Sequence, residues 1–162
     1  MSQDFRIEPA TDADVPVILR LIKGLAEYEK LADAVVVTEQ RLRDTLFGPR
    51  RFAEVIIGYA GTEAVGFAVF FHNFSTFLGA PGLYLEDIFV EPRWRGHGLG
   101  KKLLEHVARA AVTRGCGRLE WSVLDWNEPA IGFYKRLGAR PMDGWTMYRM
   151  TGEALRSLAG GS

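Results

Sequence analysis

A mixed α/β sheet with at least one strand-helix-strand crossover is the fold class this sequence predicts, and three observations support it. Short apolar runs rich in Val, Ile, Phe and Tyr recur along the chain, the pattern of strands. Between them lie longer segments whose apolar residues return every three or four positions, the pattern of helices. Late in the chain the two alternate, so that "LYLEDIFV" leads through a helical stretch into "RLEWSVL", an order that suits a parallel crossover. At 162 residues the chain is expected to form one domain, residues 1–162, since this length buries well over half of the unfolded surface.

The elements follow in order. "DFRIEPA" reads as a short strand. Thr11, with Asp14 three residues on, starts a helix over "DVPVILRLIKGLAEYEKL", in which Val17, Leu21 and Leu25 recur every four residues. "TEQRLRDTLF" is a second, short helix. "FAEVIIGYA" and "EAVGFAVFFHN" are strands joined through "GTE", where Gly61 supplies the turn, and "FSTFLGAPG" is expected to be a loop. "LYLEDIFV" is a buried strand, followed by a helix from about His97 to Arg114 that buries Leu99, Leu103, Val107 and Ala111 and ends at Gly115. "RLEWSVLDW" is a strand, "NEPAIGFYKRL" a short helix capped by Asn127 with Gly138 beyond it, and "WTMYRM" a last strand. The closing "AGGS" is expected to fray.

Composition narrows the function. Acids and bases balance at 20 each, so nothing favours nucleic acid in general, and ionic recognition must be local. One cysteine, Cys116, excludes an internal disulfide framework and a thiolate metal cluster, and three scattered histidines offer no metal spacing. The first residues lack a secretion signal and no apolar run reaches the ~20 residues that span a bilayer, so a soluble, cytoplasmic protein is expected.

The glycine stretch "RWRGHGLGKK" is the most specific motif. A helix start presents N–H groups without intrahelical partners, and the peptide dipoles add partial positive charge, so anions bind there. Gly96, Gly98 and Gly100 let a ligand approach, and Lys101 and Lys102 follow Arg93 and Arg95. A solvated basic face would also account for the lysines. The phosphate-binding Walker loop does not fit, because Arg95 stands where its first glycine belongs and Lys102 where Ser or Thr belongs. The dinucleotide fingerprint does not fit either, since it would need a glycine at Lys101 or Leu103. What remains is Arg95-x-x-Gly98-x-Gly100, entering a helix directly after a strand.

That pattern resembles the pyrophosphate-binding turn of the GCN5-related N-acetyltransferase (GNAT) family. The resemblance extends from Ile7 to about Gly160 through "ILRLIKGLAEYEKL", "YLEDIFV", "RGHGLG", "VLDWNEPAIGFYKRLGA" and "GEALRSLAG", and is closest to the diamine (spermidine/spermine) branch with its thialysine-acetylating paralogue. It implies a central, mostly antiparallel twisted sheet flanked by helices, and transfer of acetyl from acetyl-CoA, bound as co-substrate without a metal, to a small primary amine. Family enzymes of this kind are homodimers. An acetyltransferase acting on a protein or antibiotic amine, and a non-catalytic acyl-CoA-binding module, are the alternative readings.

Acetyl transfer needs a deprotonated amine, a polarised thioester and a proton for the departing thiolate. An alkylamine has a pKa near ~10.4, so a base or a water path must take its proton. Tyr134, seven residues after Asn127, shares a helix face with it and is either a core tyrosine or a ligand-facing one. The resemblance makes it the acid that protonates sulfur. Glu86 and Asp87 interrupt an apolar strand, where a carboxylate is costly unless paired, and strand alternation points them apart. The resemblance makes Glu86 the base, through water, while Asp87 reads as a structural acid. It further implies amine contacts from Tyr28, Glu29, Glu86, Trp121 and Asp143, although the loop "ARPMDGW" is shorter than the family's. Ile88, Phe89 and Val90 would lie along the pantetheine arm, with Arg95, Gly96, His97, Gly98, Leu99, Gly100 and Lys101 around the pyrophosphate and Asn127 and Ala130 on the far side of the arm.

Overall fold

The computed structural model describes residues 4–161, so the readings that touch Met1–Gln3 and Ser162 lie in part outside the described residues. Contacts divide the chain into two compact units, with the division between Leu124 and Asp125.

The first unit is a five-stranded sheet in the order β1-β2-β3-β4-β5, built from β1 (Phe5–Pro9), β2 (Glu54–Ala60), β3 (Glu63–Ser75), β4 (Ala80–Val90) and β5 (Leu119–Trp121). The first four strands pair antiparallel. β5 runs parallel to β4, and the helix α3 (Leu99–Thr113) makes the crossover between them, as the alternation of patterns predicts. α1 (Val15–Tyr28) and α2 (Glu39–Phe47) precede the hairpin strands. The Asp14 carboxylate accepts from the Thr11 N–H at 2.7 Å at the head of α1, and the Thr38 hydroxyl accepts from Arg41 N–H at 3.1 Å to cap α2.

Helices lie on both faces of the sheet. Val55 and Ile57 of β2 and Phe67 and Val69 of β3 join Ile18, Leu21, Leu25, Leu42 and Leu46 in one apolar cluster with α1 and α2. The alternate positions Gly58 and Gly66 lie beneath Leu99 of α3, so close that a Cβ on Gly58 would stand 2.7 Å from the leucine methyl. All four stripe residues of α3 are buried as expected, whereas the buried face of α1 also takes in Val15 and Ile18, with Val17 only partly covered. α3 itself begins at Leu99, two residues later than the pattern predicts, because Gly98 has φ 93° and acts as the cap.

Three expectations need correction in this unit. The segment "FSTFLGAPG" is not a loop: β3 and β4 pair down to Ser75 and Ala80, leaving a tight turn in which Gly79 takes φ 61° and the Ser75 hydroxyl accepts from Leu78 N–H. β5 spans only Leu119–Trp121, and not the whole of "RLEWSVLDW". Alternation also fails within β4. Leu85 pairs with Phe70 and Asp87 with Val69, so Glu86 is the extra residue of a β-bulge. Asp87 and Phe89 thereby share the α1 side with their partners Val69 and Phe67, although they have the same parity as Leu85, which pairs with Phe70 of the opposite face.

In the second unit, α4 (Glu128–Arg136) is capped by Asn127 and α5 (Gly152–Leu158) forms over "GEALRSL". "WTMYRM" forms no strand. Its residues pair with no other strand among those described, and Trp145 and Tyr148 are 81% and 91% exposed, since a strand pattern without a neighbouring edge has nothing to bond to. The first three residues of "AGGS" follow α5 directly. Gly160 takes φ 83° and Gly161 N–H reaches back to Arg156 C=O at 2.9 Å, closing α5 with a glycine cap.

Candidate active site

The glycine turn sits between β4 and α3. Gly96 and Gly98 take φ 80° and 93°, and no atom lies within 4 Å of where a Cβ would stand, so the surface of the turn is open main chain. Among the described residues no side chain caps α3 and no acid lies in its first turn, so the N–H groups there lack a capping partner, with Lys101 and Lys102 beside them. His97 is exposed. Lys101 lies 3.9 Å from Glu105 one turn on, a weak exposed pair. Arg93 does not face the turn, since its guanidinium pairs with Glu63. Arg95 heads the turn, yet its side chain runs the other way: Nε donates to the Val90 carbonyl at 2.9 Å and the guanidinium lies over the rings of Tyr28 and Phe89. Open main chain, absent acids and two lysines fit a diphosphate.

Next to this turn β4 loses one neighbour. The β4–β5 ladder consists of Leu83–Leu119, Tyr84–Glu120 and Leu85–Trp121 and goes no further. Ile88, Phe89 and Val90 keep β3 on one side, paired with Ala68, Phe67 and Gly66, and have no strand on the other among the described residues. An extended, amide-bearing chain can add to such an edge by main-chain hydrogen bonds. The bulge at Glu86 lies where the ladder stops, one residue beyond Leu85.

The acids gather at the same level. Glu86 is exposed, so the cost of burying a carboxylate in this strand falls on Asp87 instead. Burial first, then the charges of Glu86 and Glu29, push the Asp87 carboxyl up to about 7. Glu29, the residue that follows α1 as its C-terminal cap, is also raised above the ordinary carboxylate range by burial. Strict alternation is lost at the bulge, and the charges of Glu86 and Glu29 both act on Asp87. Trp121, half-buried, pairs with Leu85 at the end of the ladder, while Tyr28 closes α1 beneath Arg95.

In the second unit Asn127 is buried, and its side-chain oxygen accepts from Ala130 N–H at 3.4 Å at the start of α4. Tyr134 is half-buried on the same helix, its ring 5.7 Å from that of Phe133. Asp143 lies in an exposed turn between α4 and α5. Sequence reading undervalues two groups, Asp87 and the Arg95 side chain. A doubled acid in an apolar strand was the visible signal for the first; the second left none, since a stack between distant residues has no local pattern.

Comparison with known proteins bears on this geometry. The profile of the "Acetyltransferase (GNAT) family" matches residues 24–139. A thialysine N-epsilon-acetyltransferase of Bos taurus is 41% identical over 95% of this chain and 96% of its own length. An L-ornithine N5-acetyltransferase of Arabidopsis thaliana is 35% identical over 94% of this chain and 87% of its own. Among solved structures, an integron cassette protein from the mobile metagenome of V. cholerae superposes with a TM-score of 0.80 at 29% identity, covering 98% of each chain.

Proposed function

The chain belongs to the acetyltransferase (GNAT) family, and on that premise we propose that it transfers the acetyl group of acetyl-CoA to a primary amine of a small cationic acceptor. A diamine, a polyamine, or a lysine-like amino acid such as thialysine is the class of acceptor. The observation that carries the reading is the open glycine turn beside an unpaired strand edge, a pairing that suits a diphosphate with an extended amide arm. Similarity to enzymes named for thialysine and ornithine supports a small amine, and the acid group of Glu29, Glu86 and Asp87 supports a cationic one.

When bound, acetyl-CoA supplies a thioester carbonyl open to attack and a thiolate that can leave. Main-chain N–H groups from Gly96 to Lys101 hold the diphosphate, helped by the two lysines, and Ile88, Phe89 and Val90 hold the arm. Tyr28, Glu29, Trp121 and Asp143 orient the amine. Glu86, at the bulge, takes a proton from the amine through water as the C–N bond forms. Tyr134 gives its phenolic proton to sulfur as the C–S bond breaks. Asn127 and Ala130 line the far side of the arm.

The protein would act as a homodimer in the cytoplasm, with the exposed Trp145, Met147, Tyr148 and Met150 offering an apolar surface for a second copy. The experiment is an acetylation screen across putrescine, spermidine, spermine, thialysine, lysine and ornithine, reading kcat/KM. Clear preference for one of these establishes the class, whereas uniformly negligible turnover with retained coenzyme binding rejects it.

A further inference from the structure

The side chain of Arg95 joins two parts of the first unit that the proposed reaction uses separately. Gly24 and Tyr28 are four residues apart on α1 and so lie one above the other on one face. Phe89 of β4 seats its ring against Gly24, where a Cβ would stand only 3.0 Å from it. Over this pair lies the Arg95 guanidinium, 4.3 Å from the Tyr28 ring centroid and 5.5 Å from that of Phe89, while Nε donates to the Val90 carbonyl at 2.9 Å. One cation therefore ties the last turn of α1 and the end of β4 to the residue that opens the glycine turn. Arginine suits this place because its planar, weakly hydrated head can stack on rings and donate in its own plane at once, whereas an ammonium is a strongly hydrated point charge.

We propose that Arg95 is a positioning residue that couples the two substrate sites: its stack on Tyr28 and Phe89 holds the amine-facing end of α1 against the turn that grips the diphosphate, so that filling the turn tightens binding of the amine. The proposal rests on the functional reading above, in which the turn takes a diphosphate and Tyr28 and Glu29 face the amine. A diphosphate orders the main chain of the turn. Arg95 is the first residue of that main chain, and its tether to Val90 passes the order on to Tyr28. Such coupling is reciprocal, so the amine must tighten coenzyme binding by the same factor.

The test is calorimetry with coenzyme A and with thialysine or spermidine, each ligand alone and in the presence of the other, on the wild type and on Arg95→Gln, Arg95→Lys and Tyr28→Leu. In the wild type, saturating coenzyme A is expected to tighten the amine about tenfold. In each variant that factor falls to about one, whatever the affinity for coenzyme A alone, since the factor is the ratio of amine affinities with and without coenzyme A. Combining Arg95→Gln with Tyr28→Leu lowers the factor no further, as expected for two members of one contact. Should Arg95→Gln unfold, as a thermal melt would show, Arg95→Lys keeps the stem and the charge and decides the matter. The proposal is overturned if Arg95→Gln and Arg95→Lys keep the wild-type coupling factor, or if the wild type shows no coupling. Failure of the functional reading looks different, since the wild type would then bind neither coenzyme A nor any amine.

Discussion

Replacing Asp87 with Asn removes a carboxyl that the fold drives up to about 7. In an unfolded chain the same group titrates near its ordinary 3.8. Between these values the folded chain binds a proton that the unfolded chain has lost, so wild-type stability must fall as pH rises from about 4 to about 7 and level off above. A rise of about three pH units, at 1.36 kcal/mol per unit, makes ionised Asp87 cost on the order of 4 kcal/mol in the folded state. Asn presents the same shape with no charge. The variant is therefore expected to match the wild type near pH 4 and to exceed it by up to about 4 kcal/mol at pH 8, as read by urea unfolding at intervals across that range. Glu86→Gln, which removes one of the two repelling neighbours, lowers the Asp87 value and flattens the wild-type slope in part. Wild-type and Asp87→Asn stability curves that run parallel from pH 4 to 8 would refute the reasoning, for then Asp87 titrates alike in both states. Extra stability in the variant should come with a weaker hold on a cationic acceptor, seen as a higher amine KM.

Three further outcomes are expected. Tyr134→Phe lowers kcat by about 10²- to 10⁴-fold, leaving coenzyme A affinity unchanged by titration calorimetry; an unaltered kcat removes the acid role. Gly58→Ala places a methyl 2.7 Å from Leu99 and destabilises the fold by about 1–3 kcal/mol, and Leu99→Val in the same chain should recover part of that loss, which a double-mutant cycle on denaturation midpoints measures. Arg114 donates to Glu54 at 2.6 and 2.8 Å and holds its carboxyl below the ordinary range; being largely exposed, the pair contributes no more than about 1 kcal/mol. That contribution is present above pH 4.5 and lost as pH falls through the lowered folded value, so Glu54→Gln and the wild type should converge in acid.

Much of the framework was legible in the sequence because its causes are local. The stripe Leu99, Leu103, Val107 and Ala111 predicts the buried face of α3 from helical spacing alone. Gly96 and Gly98 mark a turn with positive φ, where a side chain would be strained, and the structure finds both there. The crossover from β4 through α3 to β5 follows from the order of the patterns, since parallel neighbours need such a connection. What the tertiary structure alone decided concerns partners distant in the chain. Period-two alternation in "LYLEDIFV" cannot register that β3 has one residue fewer opposite Glu86, and that bulge is what brings Asp87 and Phe89 to the α1 side. "WTMYRM" has the composition of a strand, but a strand exists only where an edge accepts it, and none does among the described residues. Arg95 reads as one more cation of a basic turn until folding brings Tyr28 and Phe89 under its guanidinium, because a side chain's direction is set by the neighbours it meets and not by the residues beside it in sequence.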